Sequence, residues 1–357
     1  VARTDARHPP QGGAMKKLLN TLYVTTEGAA LRKDGENVVV LLDGEERVRV
    51  PFHMLAAIVA FGAIALTPAL IGAAAAAGIT ITLLERSGRF QARVEGPIAG
   101  NVLLRRAQYR AADAPSEIVR SLVLGKIANQ RAVLMRALRD YGTPREGKMA
   151  EVESVARRLA TILRRVEKSA DTTDLLRGAE GEAAALYFMV FGHLIRSEAA
   201  EFRWTVRSRR PPLDPPNALL SFLYTLLVHD CRAACETVGL DPAVGFLHRD
   251  RPGRPSLALD LMEELRPVLV DRLVLSLINR RQVIPRDFIA AETGAVTLTD
   301  DARRTVIAAW QERKKEERLH PFLEEAVPFG LVPYVQAQML ARTLRGDLSA
   351  YPPWFWT

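Results

Sequence analysis

The stretch Gly239–Arg266, GLDPAVGFLHRDRPGRPSLALDLMEELR, decides how the rest of the chain is read. A short apolar turn ends in His248. A loop broken by Pro and Gly follows and carries Arg249, Arg251 and Arg254. The run SLALDLMEELR then takes up helical spacing, with Asp260 and Glu263 three residues apart and so on one helix face. An imidazole and two carboxylates in this order suit a divalent ion with hard oxygen ligands, Mg²⁺ or Mn²⁺. The basic loop beside them suits a phosphate-bearing substrate.

A further acidic element lies upstream, in Leu175–Phe188, LLRGAEGEAAALYF. Glu180 sits between Gly178 and Gly181, at what reads as the start of a helix, with Glu182 in its first turn. The three elements, G-x-E-G-x-x-A-x-x-Y-F, then G-F-L-H, then S-L-A-L-D-L-M-E, carry a resemblance. They are similar to the motifs of the metal-dependent integrase of CRISPR adaptation, the first-numbered of the CRISPR-associated proteins. MKKLLNTLYVTTEGA, SGRFQARVEGPIAGNVLLRRAQYR and LRGDLSAYPPWFW extend the similarity over Met15–Thr357 and resemble the subtype I-C branch.

The resemblance implies that Glu180, His248 and Glu263 are metal ligands and, with Asp260, the catalytic set. The third ligand is Asp in some members and Glu here; both supply a carboxylate oxygen. Asp260 matches a second acidic position that supports the site, by orienting His248, accepting a proton or contacting the metal through water. The implied reaction joins 3′-hydroxyl ends of short foreign DNA to the CRISPR repeat by transesterification, with endonuclease activity alongside. The implied partners are double-stranded DNA with 3′ overhangs, CRISPR repeat DNA, a second copy of the chain as a homodimer, and a small companion adaptation protein, the second-numbered of the set. An end-trimming CRISPR-associated exonuclease completes them. The implied place is the prokaryotic cytoplasm, nucleoid-associated when on DNA, with no membrane.

Other classes stay in view: a structure-selective nuclease acting on branched DNA in repair, and a non-catalytic DNA-binding scaffold of the same fold. The intact Glu180, His248 and Glu263 set favours an enzyme. The chain has no G-x-x-x-x-G-K-[ST] loop for ATP. His229-Asp230 invites comparison with HD-type phosphohydrolases, but those need further spaced histidines and the chain has 6. It reads as structural. His193 reads as a packed polar residue, and His53 and His320 carry no signal.

The net charge of +8 is concentrated. Leu103–Lys168 holds 15 Lys and Arg against 7 Asp and Glu, an excess equal to that of the whole chain. Such clustering favours a polyanionic partner, gripped through phosphates. The loop Phe202–Pro216, FRWTVRSRRPPLDPP, adds Arg203, Arg207, Arg209 and Arg210 as candidate DNA contacts, together with Arg249, Arg251 and Arg254. Trp204 in that loop either stacks on bases or anchors the loop. Cys231 and Cys235, one helical turn apart, are no disulfide framework and no zinc site, and read as buried thiols of a reduced protein.

The fold class is α+β: a small, sandwich-like N-terminal β domain followed by a larger all-α catalytic domain. Residues 1–14 read as a disordered leader or linker. Residues 15–109 form the β domain, a platform for dimer and partner contacts, and 110–116 a linker to the helical domain 117–357. Met54–Leu84 contains no charged residue. Its Ala, Gly and Pro content and its period-2 ending, ITITLL, argue for strand, turn, short buried helix and strand rather than a membrane span. FIAAETGAVTLTD reads as a small hairpin.

Overall fold

A computed structural model describes residues 16–18, 21–24, 26–55, 57–84, 90–94, 101–142, 147–168 and 172–356; the leader 1–14 lies outside the described residues. Contacts divide the chain into two units, Val1–Ala99 and Gly100–Thr357.

The first unit is built from β1 (Lys16–Leu18), β2 (Thr21–Val24), β3 (Ala30–Asp34), β4 (Asn37–Leu42), β5 (Glu45–Pro51), β6 (Ala57–Phe61), β7 (Ala65–Leu66), α1 (Pro68–Ala76), β8 (Thr80–Leu84) and β9 (Phe90–Val94). Two sheets result, in the orders β1-β2-β6-β8-β9 and β5-β4-β3-β7. The pairs β2/β6, β6/β8 and β3/β7 are parallel. Asp43 and Gly44 close the β4–β5 hairpin with φ of 54° and 80°, the two positive values that a two-residue turn of this twist demands. Leu22, Leu31, Val38, Val40, Ile58, Leu70 and Ile81 make the core. The uncharged Met54–Leu84 run is strand β6, the short β7, helix α1 and strand β8, with Leu70 fully buried. Thr67 caps α1 by accepting from Leu70 N, and Pro68 fills the first turn, where no N–H is missed.

The second unit carries α2 (Asn101–Asp113), α3 (Ser116–Tyr141), α4 (Lys148–Lys168), α5 (Thr173–Phe191), α6 (Pro215–Val238), α7 (Ser256–Leu265), α8 (Arg272–Asn279), α9 (Asp300–Lys315) and α10 (Val332–Arg345). Helix α3 packs on α4, α5 and α7, and α6 on α7 and α10. By length and composition alone α6 could cross a membrane, but 56% of its apolar window is buried within this unit.

Three expectations change here. The boundary placed at residue 109 falls inside α2, and the units divide after Ala99. The NVLLRRAQYR segment, placed in the β domain, is helical, and tertiary contacts hold it in the second unit: Gln108 donates to the carbonyls of Asp241 and Val244 at 2.8 and 2.9 Å. The second unit is not all-α. Besides the expected hairpin, β10 (Phe288–Ala290) with β11 (Val296–Leu298), a second one pairs β12 (Glu317–His320) with β13 (Glu325–Pro328). Glu180 does not open a helix, because α5 begins at Thr173 and Glu180 lies about two turns in. Finally, α7 and α8 are joined by a π-helical segment, Arg266–Asp271. Pro267 has no N–H for the carbonyl four residues back, at Glu263, so the regular ladder is interrupted there.

Candidate active site

Asp214 and Pro215 start α6, the Asp214 side chain accepting from Asn217 N at 2.8 Å. Gly239, at φ 84°, ends it. The chain then turns through G-F-L-H, and that turn is wrapped around one buried carboxylate. Asp260 Oδ2 accepts from the backbone N–H of Phe246 at 2.5 Å and of Leu247 at 3.0 Å. Its Oδ1 accepts from His248 N at 2.9 Å and from His248 Nδ1 at 2.6 Å. Gly245 is what lets the turn approach so closely: a Cβ there would lie 2.9 Å from Asp260 Oδ2 and 2.8 Å from Ser256 Cβ.

Two consequences follow for chemistry. A carboxylate accepts about four hydrogen bonds, so Asp260 is fully engaged and has no oxygen left over for an ion. Of the three roles open to it, orienting His248 is the one this geometry fits. Because Asp260 takes the proton-bearing Nδ1, the lone pair of His248 is on Nε2, which stands 3.7 Å from Glu263 Oε1. From α5, Arg177 holds the same turn, donating to the Leu247 carbonyl at 2.6 Å and pairing with Asp174 at 2.7 Å. The helix that presents Glu180 therefore also fixes the backbone that presents His248.

Glu180 and Glu263 face each other across Lys126, which comes from α3. The Lys126 ammonium hydrogen-bonds Glu180 Oε1 and lies 2.6 Å from Glu263 Oε2. Arg266 Nη1 stands 3.0 Å from Glu263 Oε1. Burial alone would raise the Glu263 carboxyl, but Arg266, Lys126 and His248 together outweigh it and hold it well below the usual carboxylate range. Among the described residues no three Asp, Glu, His or Cys side chains are grouped to hold an ion as they stand, with the ammonium between the two carboxylates. The donor set nonetheless fits a hard divalent ion: two carboxylates, that of Glu263 buried, and an imidazole nitrogen. Gly178 and Gly181 leave the flank of Glu180 open, since a Cβ at either would have no neighbour within 4 Å. Beside His248 a cavity of 330 Å³ opens, lined by Thr173, Arg177, Gly245, Phe246, Arg249 and Asp250.

The neighbouring carboxylate, Glu264, points elsewhere. It accepts from Gln336 Nε2 at 2.9 Å, from the Tyr351 hydroxyl and from Trp354 N at 2.7 Å. Burial pushes it up to about 7, against the opposing pull of these donors. Asn129 on α3 donates to the Glu264 carbonyl at 2.7 Å and to the Trp354 carbonyl at 2.9 Å, and accepts from Trp356 N. The aromatic tail Tyr351–Trp356 is thus tied to α3 and α7 together. His320, which carried no signal, joins this network through Gln336 at 3.0 Å.

The other candidates separate by burial. Arg203, Arg209, Arg210, Arg249 and Arg251 are exposed, Arg249 within 3.4 Å of Asp174, while Arg254 is half-buried. Arg207 is corrected: it points inward, donating to Asn217 Oδ1 at 2.7 Å and to Ser221 Oγ, with its guanidinium over the Tyr224 ring, so it braces the loop instead of facing DNA. Trp204 anchors the loop, stacked on Phe188 and donating to its carbonyl at 2.9 Å. Asp230 of the His-Asp dipeptide is buried against Lys314 at 3.3 Å. His193 pairs with Glu151 at 2.8 Å, and both cysteines are buried thiols. Lys126 and Arg266 were missed. Lys126 did leave a signal, since it falls on the apolar stripe Val119–Val123–Lys126–Ile127–Val133, where a charge is out of place.

A helical unit that seats an imidazole and two carboxylates beside a basic loop, on a chain that also carries a small two-sheet β unit, is that of an enzyme working on phosphodiesters. The chain belongs to the Cas1 family: the model described as CRISPR associated protein Cas1 matches residues 22–312. It is 71% identical over 344 residues to CRISPR-associated endonuclease Cas1 2 of Rhodospirillum rubrum, covering 96% of this chain and 100% of that protein. A CRISPR-associated exonuclease Cas4/endonuclease Cas1 fusion of Geobacter sulfurreducens is 36% identical over 340 residues, 93% of this chain and 59% of the fusion. Among solved structures, a chain of a partial Cas6-RT-Cas1–Cas2 complex shares the fold, with a TM-score of 0.73 at 23% identity over 94% of this chain and 98% of that one.

Proposed function

We propose that Glu180, His248 and Glu263 hold one divalent ion, Mg²⁺ or Mn²⁺, at which this Cas1 endonuclease and integrase of CRISPR adaptation cuts and exchanges DNA phosphodiesters. The observation that carries this is the convergence of Nε2 of His248 with carboxylates from two separate helices, the imidazole fixed from behind by Asp260. When bound, the ion polarises the target phosphate and neutralises charge developing on the attacking and leaving oxygens. Asp260 keeps the Nδ1 proton in place, so that His248 offers Nε2 as a lone pair. Arg249, Arg251 and Arg254, on the loop after His248, attract the DNA backbone to the open flank left by Gly178 and Gly181. The attacking group is a 3′-hydroxyl of a second strand, so no side chain has to become a covalent nucleophile. One phosphodiester replaces another, and no external energy source is required.

The protein works as a homodimer with the small companion protein Cas2, on duplexes with 3′ overhangs that it joins to the CRISPR repeat, and a Cas4 exonuclease trims the ends. The fusion with Cas4 in a relative and the Cas2-containing assembly of a structural neighbour support these partners. Exposed arginines on α2, α3 and α4, among them Arg106, Arg110, Arg139, Arg157 and Arg158, supply the phosphate grip.

His248→Ala tests the site. Losing even an outer partner of a metal ligand costs 10–100-fold, so removing the ligand should lower cleavage and strand transfer by about 100-fold or more, with DNA binding largely kept. A folded His248→Ala protein that integrates DNA at the normal rate would overturn the assignment.

A further inference from the structure

Lys126 has no part in the reaction just described, yet it sits at its centre. Its side chain is 7% exposed, and its ammonium contacts both Glu180 and Glu263. A buried lysine is costly unless paired, and here the pair is made with the two carboxylates proposed to hold the ion. The helix behind it has no freedom to withdraw. Asn129, on the next turn of α3, is bonded to the backbone of Glu264 and Trp354, and Gly125 packs so closely that a Cβ would lie 3.0 Å from Glu264 Oε2. The lysine side chain itself is a flexible four-carbon stem and can move without the helix.

We infer that Lys126 is a positioning residue that stands in for the divalent ion in the metal-free protein, holding Glu180 and Glu263 face to face and giving up that position when the ion enters. The inference rests on the metal site proposed above. Without a cation between them, two carboxylates brought together by α5 and α7 repel and would be pushed apart or neutralised. With Lys126 in place, the ligands are already aligned before any metal arrives. The cost is competition: ammonium and ion bid for the same oxygens, so each weakens the other's hold by the same factor. Arg266 stays at Glu263 Oε1 in either state and does not bridge to Glu180, so it cannot replace Lys126 in this exchange.

The test titrates Mn²⁺ into the full chain as wild type, Lys126→Met and His248→Ala, following free Mn²⁺ by electron paramagnetic resonance, with thermal unfolding measured in parallel. Metal-free Lys126→Met should melt several degrees below wild type and regain the difference with Mn²⁺. It should also bind Mn²⁺ about tenfold more tightly than wild type. If Lys126→Met does not fold, Lys126→Gln, which keeps a polar head without the charge, is read in the same way. Mn²⁺ affinity equal to or weaker than wild type in the folded variant overturns the role of Lys126, as does an unchanged metal-free melting temperature. His248→Ala separates the two levels. If it binds Mn²⁺ like wild type, the metal site itself is wrong. If it loses Mn²⁺ while the lysine variant gains nothing, only the stand-in role falls.

Discussion

Glu263 and Glu264 are adjacent in sequence, both buried on α7, and they do opposite things. Glu263 faces the Lys126 ammonium, the Arg266 guanidinium and the His248 imidazole, and is held ionised. Glu264 faces neutral donors, a phenol, an amide and a backbone N–H, and burial pushes it up to about 7. Burial is common to the two; what differs is whether a neighbour carries charge or merely a hydrogen bond. A carboxylate paired with a flexible ammonium can exchange that one partner for another cation. One bound by three fixed donors is a structural joint, here the point where the C-terminal aromatic tail fastens α3 to α7.

The largest expected effect on this contrast comes from pH. A carboxyl whose folded value lies above its ordinary 4.5, at about 7, makes the native state bind more protons between those limits, so its contribution to stability falls as pH rises through that window. Wild type should therefore lose on the order of 3 kcal/mol relative to Glu264→Gln between pH 4.5 and 7, at about 1.36 kcal/mol per unit. Urea unfolding of both proteins across that range measures it, and a constant difference would show that burial does not raise Glu264 in this way. Next in size is Asp260→Asn, which frees the His248 tautomer and replaces one of the two oxygens that accept from the turn's backbone N–H groups with a donor. Mn²⁺ affinity should fall 10–100-fold, as for other residues that orient a metal-bound histidine; unchanged affinity in a titration would contradict the positioning role.

The smallest effect separates the arginines. Each exposed arginine that contacts a DNA phosphate should contribute about one unit to the slope of log affinity against log salt. Arg209→Ala should lower that slope while leaving the melting temperature alone. Arg207→Ala should do the reverse, since its guanidinium is spent on Asn217, Ser221 and the Tyr224 ring. Filter-binding at several salt concentrations distinguishes the two.

Much of the site was legible because its parts are short local patterns. G-F-L-H and the Asp-x-x-Glu of α7 lie within one stretch, and helical spacing alone puts Asp260 and Glu263 on one face. The division of labour between them was not legible, because it depends on which carboxylate the G-F-L-H turn wraps around. Lys126 was missed for a related reason: it is more than 50 residues from Glu180 in the chain, and only packing brings them together. Arg266 is only three residues from Glu263, but sequence does not tell a paired arginine from a solvated one. The arginine run at 203–210 shows the opposite limit. Composition records the charges but not that Arg207 turns inward beneath Tyr224. Gly178 and Gly181 resembled a helix start because glycine is costly inside a helix, and α5 carries both beside an open flank where nothing else packs. In the first unit, the Ala, Gly and Pro content and the period-2 ending sufficed to read strand, short buried helix and strand in Met54–Leu84.

The most direct measurement compares Glu263→Gln with Glu264→Gln, adjacent substitutions of the same size and chemistry. Each purified protein is assayed for strand transfer into a repeat-bearing duplex and for its melting temperature. Glu263→Gln should lose about 100-fold or more of the activity while remaining folded, because a neutral amide cannot hold the ion against Lys126 and Arg266. Glu264→Gln should integrate DNA within a few-fold of wild type. Equal losses in the two variants, or a Glu263→Gln protein that still transfers strands at the wild-type rate, would contradict the assignment of Glu263, with Glu180 and His248, as the centre of the chemistry.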